Sequence, residues 1–256
     1  MDLAQVFSGF AVGAIVGITG VGGGSLMTPL LVLAFGIHAT TAVGTDLLYA
    51  AATKTVGTAV HGVSGTVDWK VVGRLSAGSI PATVITLLVL SRLKENASSA
   101  NHALTVVLGF ALIATAIAIL FRRAMQDFFR KRTENLSVRQ ITGLTVLLGA
   151  VLGVLVSLSS VGAGAIGVTV LLILYPDLPA GKLVGSDIAH AVPLTLIAGL
   201  GHWLIGSVDL HLLLSLLTGS IPGIIIGSLI AARVPDKVLR PILASTLALV
   251  GGRLAF

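Results

Sequence analysis

Apolar and polar positions alternate in blocks along this chain: long apolar stretches are separated by short polar ones. The pattern predicts helices over 3–19, 25–36, 39–62, 69–91, 100–120, 141–158, 165–175, 182–205, 208–232 and 237–256. Most approach the roughly 20 residues that a bilayer crossing needs. Stretches 25–36 and 165–175 are too short, since twelve helical residues rise only about 18 Å against a hydrocarbon core of about 30 Å. Each follows a glycine-rich run. The first run is Gly20-Val21-Gly22-Gly23-Gly24-Ser25, with Pro29 beyond it, and the second is Val161-Gly162-Ala163-Gly164. Consecutive glycines weaken a helix. Inside a bilayer, unwound backbone persists only where protein or a water-filled cavity satisfies its N–H and C=O groups. The runs therefore predict broken helices, the second piece of the first one starting near Ser25. A helix N-terminus offers free N–H groups and partial positive charge, which suits an anion held at mid-membrane.

The two halves of the chain repeat each other. At an offset of 140, Gly9, Gly13, Val21, Gly22 and Gly24 meet Gly149, Gly153, Val161, Gly162 and Gly164. After one inserted residue, Gly44, Asp46, His61, Asp68 and Gly78-Ser79-Ile80-Pro81 meet Gly185, Asp187, His202, Asp209 and Gly219-Ser220-Ile221-Pro222. Two such repeats with discontinuous helices are the mark of a transporter whose site lies at their interface.

Composition narrows the class. The chain is 55% hydrophobic and 10% charged, with a mean hydropathy of +1.04, whereas soluble domains carry about 25% charged residues. The expectation is a multi-pass membrane protein. A net charge of +6 in a soluble protein would suggest nucleic acid. Here Lys and Arg fall between the apolar stretches, where they set orientation, and no nucleic-acid partner is expected. The absence of cysteine excludes disulfides, iron–sulfur clusters and thiolate zinc sites. The apolar N-terminus is not read as a signal peptide, because its one early charge is Asp2.

Charge also bears on orientation. If each broken segment crosses the membrane, the repeats are parallel and Lys and Arg divide nine to six between the two sides. If each is re-entrant, the repeats are inverted and the division is twelve to three, with Lys54 inside a helix in both cases. The second division fits the positive-inside rule better. The expected fold is therefore all-α and integral to the membrane. It has two homologous inverted repeats, each a broken or re-entrant helix plus three transmembrane helices. Residues 1–121 form the first repeat, 122–138 a basic cytoplasmic connector and 139–256 the second, with both termini outside.

Candidate chemistry follows the breaks. Gly22, Gly23, Gly24 and Ser25, and less strongly Ser160, Gly162 and Gly164, are candidates to cradle an anion on backbone N–H groups and hydroxyls. Scattered glycines such as Gly9 and Gly13 are read as helix packing. Thr45, Ser186 and Ser159 are further hydroxyl candidates. Asp46 and Asp187 lie inside apolar helices, where carboxylates are costly. Capping a glycine break and carrying a proton stand as alternatives for them. Lys54, whose counterpart is Thr195, breaks the repeat symmetry and fits the counter-charge of one bound anion, with snorkelling to an interface as the bland alternative. His190 follows Asp187 by three residues on one helix face, an Asp–His pair able to pass protons. His61 and His202 are expected to cap helix ends, and His38, His102 and His211 to sit in loops. Asp68 and Asp209 are expected to cap the helices after them, and Pro81 and Pro222 to kink theirs. Gly62-Val63-Ser64-Gly65 resembles the serine motif of intramembrane proteases but is read as a turn, because the second half carries no nucleophile there. No group has metal-ligand spacing, and no cofactor is expected.

With these residues assembled, the chain resembles the TauE/SafE family of sulfite and organosulfonate exporters. The resemblance rests on Gly20 to Ser25 with Pro29, Gly44-Thr45-Asp46-Leu47-Leu48-Tyr49, Lys54, His61, Gly65-Thr66-Val67-Asp68-Trp69-Lys70 and the second-half counterparts through Gly219-Ser220-Ile221-Pro222-Gly223. Some relatives carry Asn then Lys where this chain has Asp46 and Leu47. The resemblance implies a bacterial inner-membrane permease for small sulfur-containing anions, such as sulfite or sulfoacetate, coupled to protons. Its partners would be that anion, protons and the bilayer, and the oligomeric state is left open, a dimer included. The alternatives are a cation or metal permease using Asp46 and Asp187, a hydrolase using Ser64, and a membrane scaffold that transports nothing.

Overall fold

The computed structural model describes residues 2–19, 24–63, 67–93, 97–133, 136–230 and 236–256. These form helices α1 (Leu3–Thr19), α2 (Gly24–Phe35), α3 (Ala39–Val63), α4 (Trp69–Leu93), α5 (Ala97–Leu120), α6 (Arg122–Thr133), α7 (Val138–Ser159), α8 (Ala165–Leu174), α9 (Ala180–Leu204), α10 (Leu210–Ile230) and α11 (Asp236–Ala255). Among the described residues, α4, α5, α7, α9 and α10 are long and apolar enough to cross a membrane.

All but α6 fall where the apolar pattern puts them. Helix α6 lies in the basic connector, whose polarity hides an amphipathic helix. Met125, Phe128 and Phe129 fall on one side of it, the two rings edge to face at 5.0 Å, and Met125 N–H bonds back to Phe121 O at 2.9 Å. Helix α7 starts earlier than its apolar stretch because Ser137 and Gln140 form a capping box. As expected, Asp68 Oδ1 accepts the N–H groups of Lys70 and Val71 at the start of α4. Asp209 Oδ1 accepts that of Leu212 at the start of α10. His102 and His211 lie within α5 and α10 rather than in loops, and His38 does lie between helices. Ser64 and Gly20 to Gly23 lie outside the described residues, as does the side chain of His61.

Glycines set how closely the helices pack and reveal their directions. Gly9 and Gly13 of α1 lie against Leu216 and Ser220 of α10, and Gly219, Gly223 and Gly227 of α10 lie against Val6, Phe10 and Ala14. The numbers rise together, so α1 and α10 run parallel. Gly149 and Gly153 of α7 likewise meet Leu75 and Ser79 of α4, and Gly78 meets Val146. By contrast, Gly44 of α3 meets Ser207 and His202 while Gly199 of α9 meets Leu48, so α3 and α9 are antiparallel. Helices α5 and α11 are antiparallel too. Gly109 meets Ala255, Gly251 meets Leu112 and Ile113, and the Phe110 and Phe256 rings meet edge to face at 6.0 Å. Hydrogen bonds link the remaining pairs. Thr45 Oγ1 accepts Asp209 N–H at 3.1 Å, and Ser186 Oγ accepts Asp68 N–H at 2.8 Å.

Helices α1, α3 and α10 therefore run one way, and α4, α7 and α9 the other. Helix α2 joins the far end of α1 to the near end of α3, so it must double back; α8 does the same between α7 and α9. With 12 and 10 residues, these returning helices reach only partway through a bilayer. Their N-termini consequently lie inside the protein, beside the antiparallel α3–α9 pair. A mixed apolar cluster brings the two hairpins together, with Val161 of the second break, Ala165 of α8, and Leu26 and Val32 from α2 packed among residues of α5 and α11.

Gly78 is expected to tolerate no side chain, since a Cβ there collides with the Val146 carbonyl of α7. Gly78→Ala should cost about 1–3 kcal/mol through overpacking, read as a lower thermal unfolding temperature of the detergent-solubilised protein. Gly73→Ala, at a helical position with open space around it, should leave that temperature unchanged or raise it slightly, through the better helix propensity of alanine.

Candidate substrate site

The second break shows how the chain leaves one helix and starts another within the protein. Ser160 ends α7 in the left-handed conformation (φ 58°), its N–H bonded to Val156 O at 2.8 Å. Ser159 turns inward, donating to Leu155 O at 2.7 Å and accepting Val161 N–H at 3.2 Å. Gly162 and Gly164 adopt φ of 120° and 114°, which a Cβ would strain. This is why glycine recurs there. Gly164 is the N-cap of α8 and has no side chain to serve its first-turn amides.

Asp187 lies beside this helix start. It projects from α9, is 1% exposed, and its carboxylate lies against the backbone at Gly167 and faces the Gly164 N–H. Neither carboxylate oxygen has a hydrogen bond of normal geometry. Asp46 occupies the corresponding place beside α2. It is fully buried and accepts a 2.5 Å hydrogen bond from Thr28 Oγ1, in the second turn of α2. Its other oxygen has no hydrogen bond. It faces the hydroxyl of Ser160, which is likewise buried and without a hydrogen bond. Asp46 thus stands between α2 and the second break.

Lys54 lies two turns beyond Asp46 on α3 and is partly buried. Its ammonium is within electrostatic reach of both carboxylates, with Asp187 the stronger partner. Lys54 sits nine residues before the end of α3, nearer the helix centre than its end. At the repeat counterpart, Thr195 Oγ1 turns back to Ala191 O at 2.7 Å. His190, fully buried one turn from Asp187, has its Nε2 2.8 Å from Ser79 Oγ on α4, and its Nδ1 has no hydrogen bond. His202 Nε2 meets Ser157 O at 2.9 Å near the end of α9, holding α7 against α9.

The candidates divide accordingly. Asp46, Lys54, Ser160, Gly164, Asp187 and His190 come together around α3 and α9. Thr45 and Ser186 do not join them; each accepts the N–H of the residue just before a neighbouring helix, Asp209 and Asp68. Gly162 shapes the turn. Gly22 and Gly23 lie outside the described residues, and Gly24 is the first residue of α2. Ser25 is buried and borders a cavity of about 290 Å³ between α1, α2 and α11, whose other lining is apolar except for Thr246. That cavity holds no charged group and is separate from the carboxylates. Thr28 and Gly167 escaped sequence reasoning. The available signal was a hydroxyl inside the short apolar α2 whose counterpart in the second half is Val168.

Two doubled-back helices with buried charges beside them are an arrangement that membrane transporters use, and the comparisons place the chain in a family. The family model described as "Sulfite exporter TauE/SafE" matches residues 6–254, and the chain belongs to that family. It is 37% identical over 255 residues, 99% of this chain and all of its relative, to the probable membrane transporter protein YjnA of Bacillus subtilis (strain 168). It is 30% identical over 251 residues, 96% of this chain and 97% of its relative, to the probable membrane transporter protein YdhB of the same organism. No solved structure matches.

Removing the Thr28 donor should leave Asp46 buried with no hydrogen bond of normal geometry, a change worth about 1–3 kcal/mol. Thr28→Val is expected to lower the thermal unfolding temperature in detergent, and Thr28→Ser to restore most of it. Equal stability of the two variants would count against the contact.

Proposed function

We propose that this protein is a secondary transporter of small sulfur-containing anions, sulfite or organosulfonates such as sulfoacetate, coupled to protons. The observation that carries the reading is Lys54, partly buried near the middle of α3 and within electrostatic reach of Asp46 and Asp187. Each of these carboxylates lies beside the start of a short returning helix. Anions are favoured at helix N-termini and beside an ammonium. The family's name supplies the sulfur chemistry. A cation permease would place its cargo beside that same ammonium, which repels it.

The reading treats residues 1–121 and 139–256 as inverted repeats about the connector 122–138, which faces the cytoplasm from the bacterial inner membrane. Several observations support it. Counterpart helices α3 and α9, and α5 and α11, run antiparallel, as an axis in the membrane plane requires. Counterpart hydroxyls Thr45 and Ser186 cap counterpart helices. Alternating access would then rock the two hairpins about the α3–α9 pair.

Purified protein in liposomes should take up sulfite or a small organosulfonate faster under an imposed pH gradient than without one. Lys54→Gln should reduce that uptake to background while the protein stays monodisperse. Absence of flux for sulfite, sulfate and sulfonates under both conditions would sink the reading.

Orientation has its own measurement, since the chain has no native cysteine. His38→Cys and Gly181→Cys, both at exposed positions, should react with an impermeant maleimide from opposite sides of the membrane. Labelling from one side would contradict inverted repeats.

A further inference from the structure

The two buried carboxylates hold corresponding positions but differ in their partners. Asp46 is held by the Thr28 hydroxyl of α2. At the counterpart position α8 carries Val168, which cannot donate. Asp187 therefore lies against the start of α8 with both oxygens lacking a normal hydrogen bond, although it is 1% exposed. It rests on Gly167, where any Cβ would displace it. Few buried carboxylates are left without donors, and such a group either acquires a partner or takes up a proton.

We propose that Asp187 is the exchangeable group of this transporter: its carboxylate faces the start of α8 and Lys54 without being fixed by a hydrogen bond, and on taking a proton it yields that place to a singly charged oxyanion. Asp46 is the fixed member of the pair, and Thr28 is the positioning residue that fixes it. The exchange replaces one negative charge at Lys54 by another, so one proton enters the site with each monovalent anion and the buried charge stays constant. Substrate and the Asp187 carboxylate cannot occupy that place together, which makes their binding mutually exclusive and couples it to the proton.

The groups facing Asp187 are consistent with this exchange. Lys54 approaches from α3, with Asp46 further along the same helix. His190 lies one turn away on α9, its Nε2 committed to Ser79 of α4. Arg74 of α4 is turned to the Tyr175 hydroxyl at 3.0 Å. Helix α8 has no ionisable side chain, and α7 has Arg139 alone, in its first turn. The carboxylate of Asp187 thus faces one cation and one set of backbone amides, and the substrate would meet the same two.

This inference deepens the transport reading, and its test separates the two. Infrared difference spectra of the reconstituted protein between acid and alkaline buffer should show a carbonyl band of a protonated, buried carboxyl. The band should be absent from Asp187→Asn and retained in Asp46→Asn. In Val168→Thr, where a hydroxyl donor is supplied, it should appear only in more acid buffer. In parallel, sulfite uptake by liposomes should lose its pH dependence in Asp187→Asn and shift it in the acid direction in Val168→Thr. A band that disappears with Asp46 rather than Asp187, an unaltered band in Val168→Thr, or unchanged pH dependence in Asp187→Asn overturns the proposal. If the wild type carries no anion at all, the transport reading fails, and the band still decides which carboxyl exchanges its proton.

Discussion

A helix that starts inside a bilayer must find partners for its first amides, and this constraint organises the protein. The returning helices α2 and α8 are too short to cross a bilayer. Asp187 lies beside the start of α8, and Asp46 beside the second turn of α2. A carboxylate in such a place is costly, and the nearby ammonium of Lys54 and the helix amides offset that cost together. The buried charges and the broken helices therefore depend on each other.

The remainder of the fold keeps that arrangement in place. Rows of glycine bring α1 against α10 and α4 against α7 at backbone distance, where lipid offers no hydrophobic drive and close contact supplies the attraction. Hydroxyl groups on α3 and α9 hold Asp209 and Asp68, the residues that precede and cap α10 and α4. Both functions, capping a neighbour and carrying a charge, thus fall on α3 and α9, one turn or less apart. Motion of either helix would disturb the charges and the helix starts together.

Near-symmetry is the second theme. Corresponding positions carry Asp46 and Asp187, but Thr28 faces Val168, Tyr49 faces His190 and Lys54 faces Thr195. Each departure changes charge or hydrogen bonding while nearly preserving the backbone arrangement. Two similar hairpins can therefore share a scaffold and differ in chemistry.

The helices were legible in the sequence because apolar length is a local property that a bilayer demands of every span. The second break was legible for the same reason, since a glycine run between apolar stretches has few other uses there. Polarity concealed α6, because a short amphipathic helix carries no such length signal. Thr45 and Ser186 looked like oxyanion ligands, yet tertiary packing commits them to helix starts far along the chain. The partner of Asp46 and the bareness of Asp187 were likewise decided by how α2 and α8 dock on α3 and α9. A carboxylate's identity is written in the chain, but what it faces depends on residues brought together only by folding, and that environment sets its chemistry.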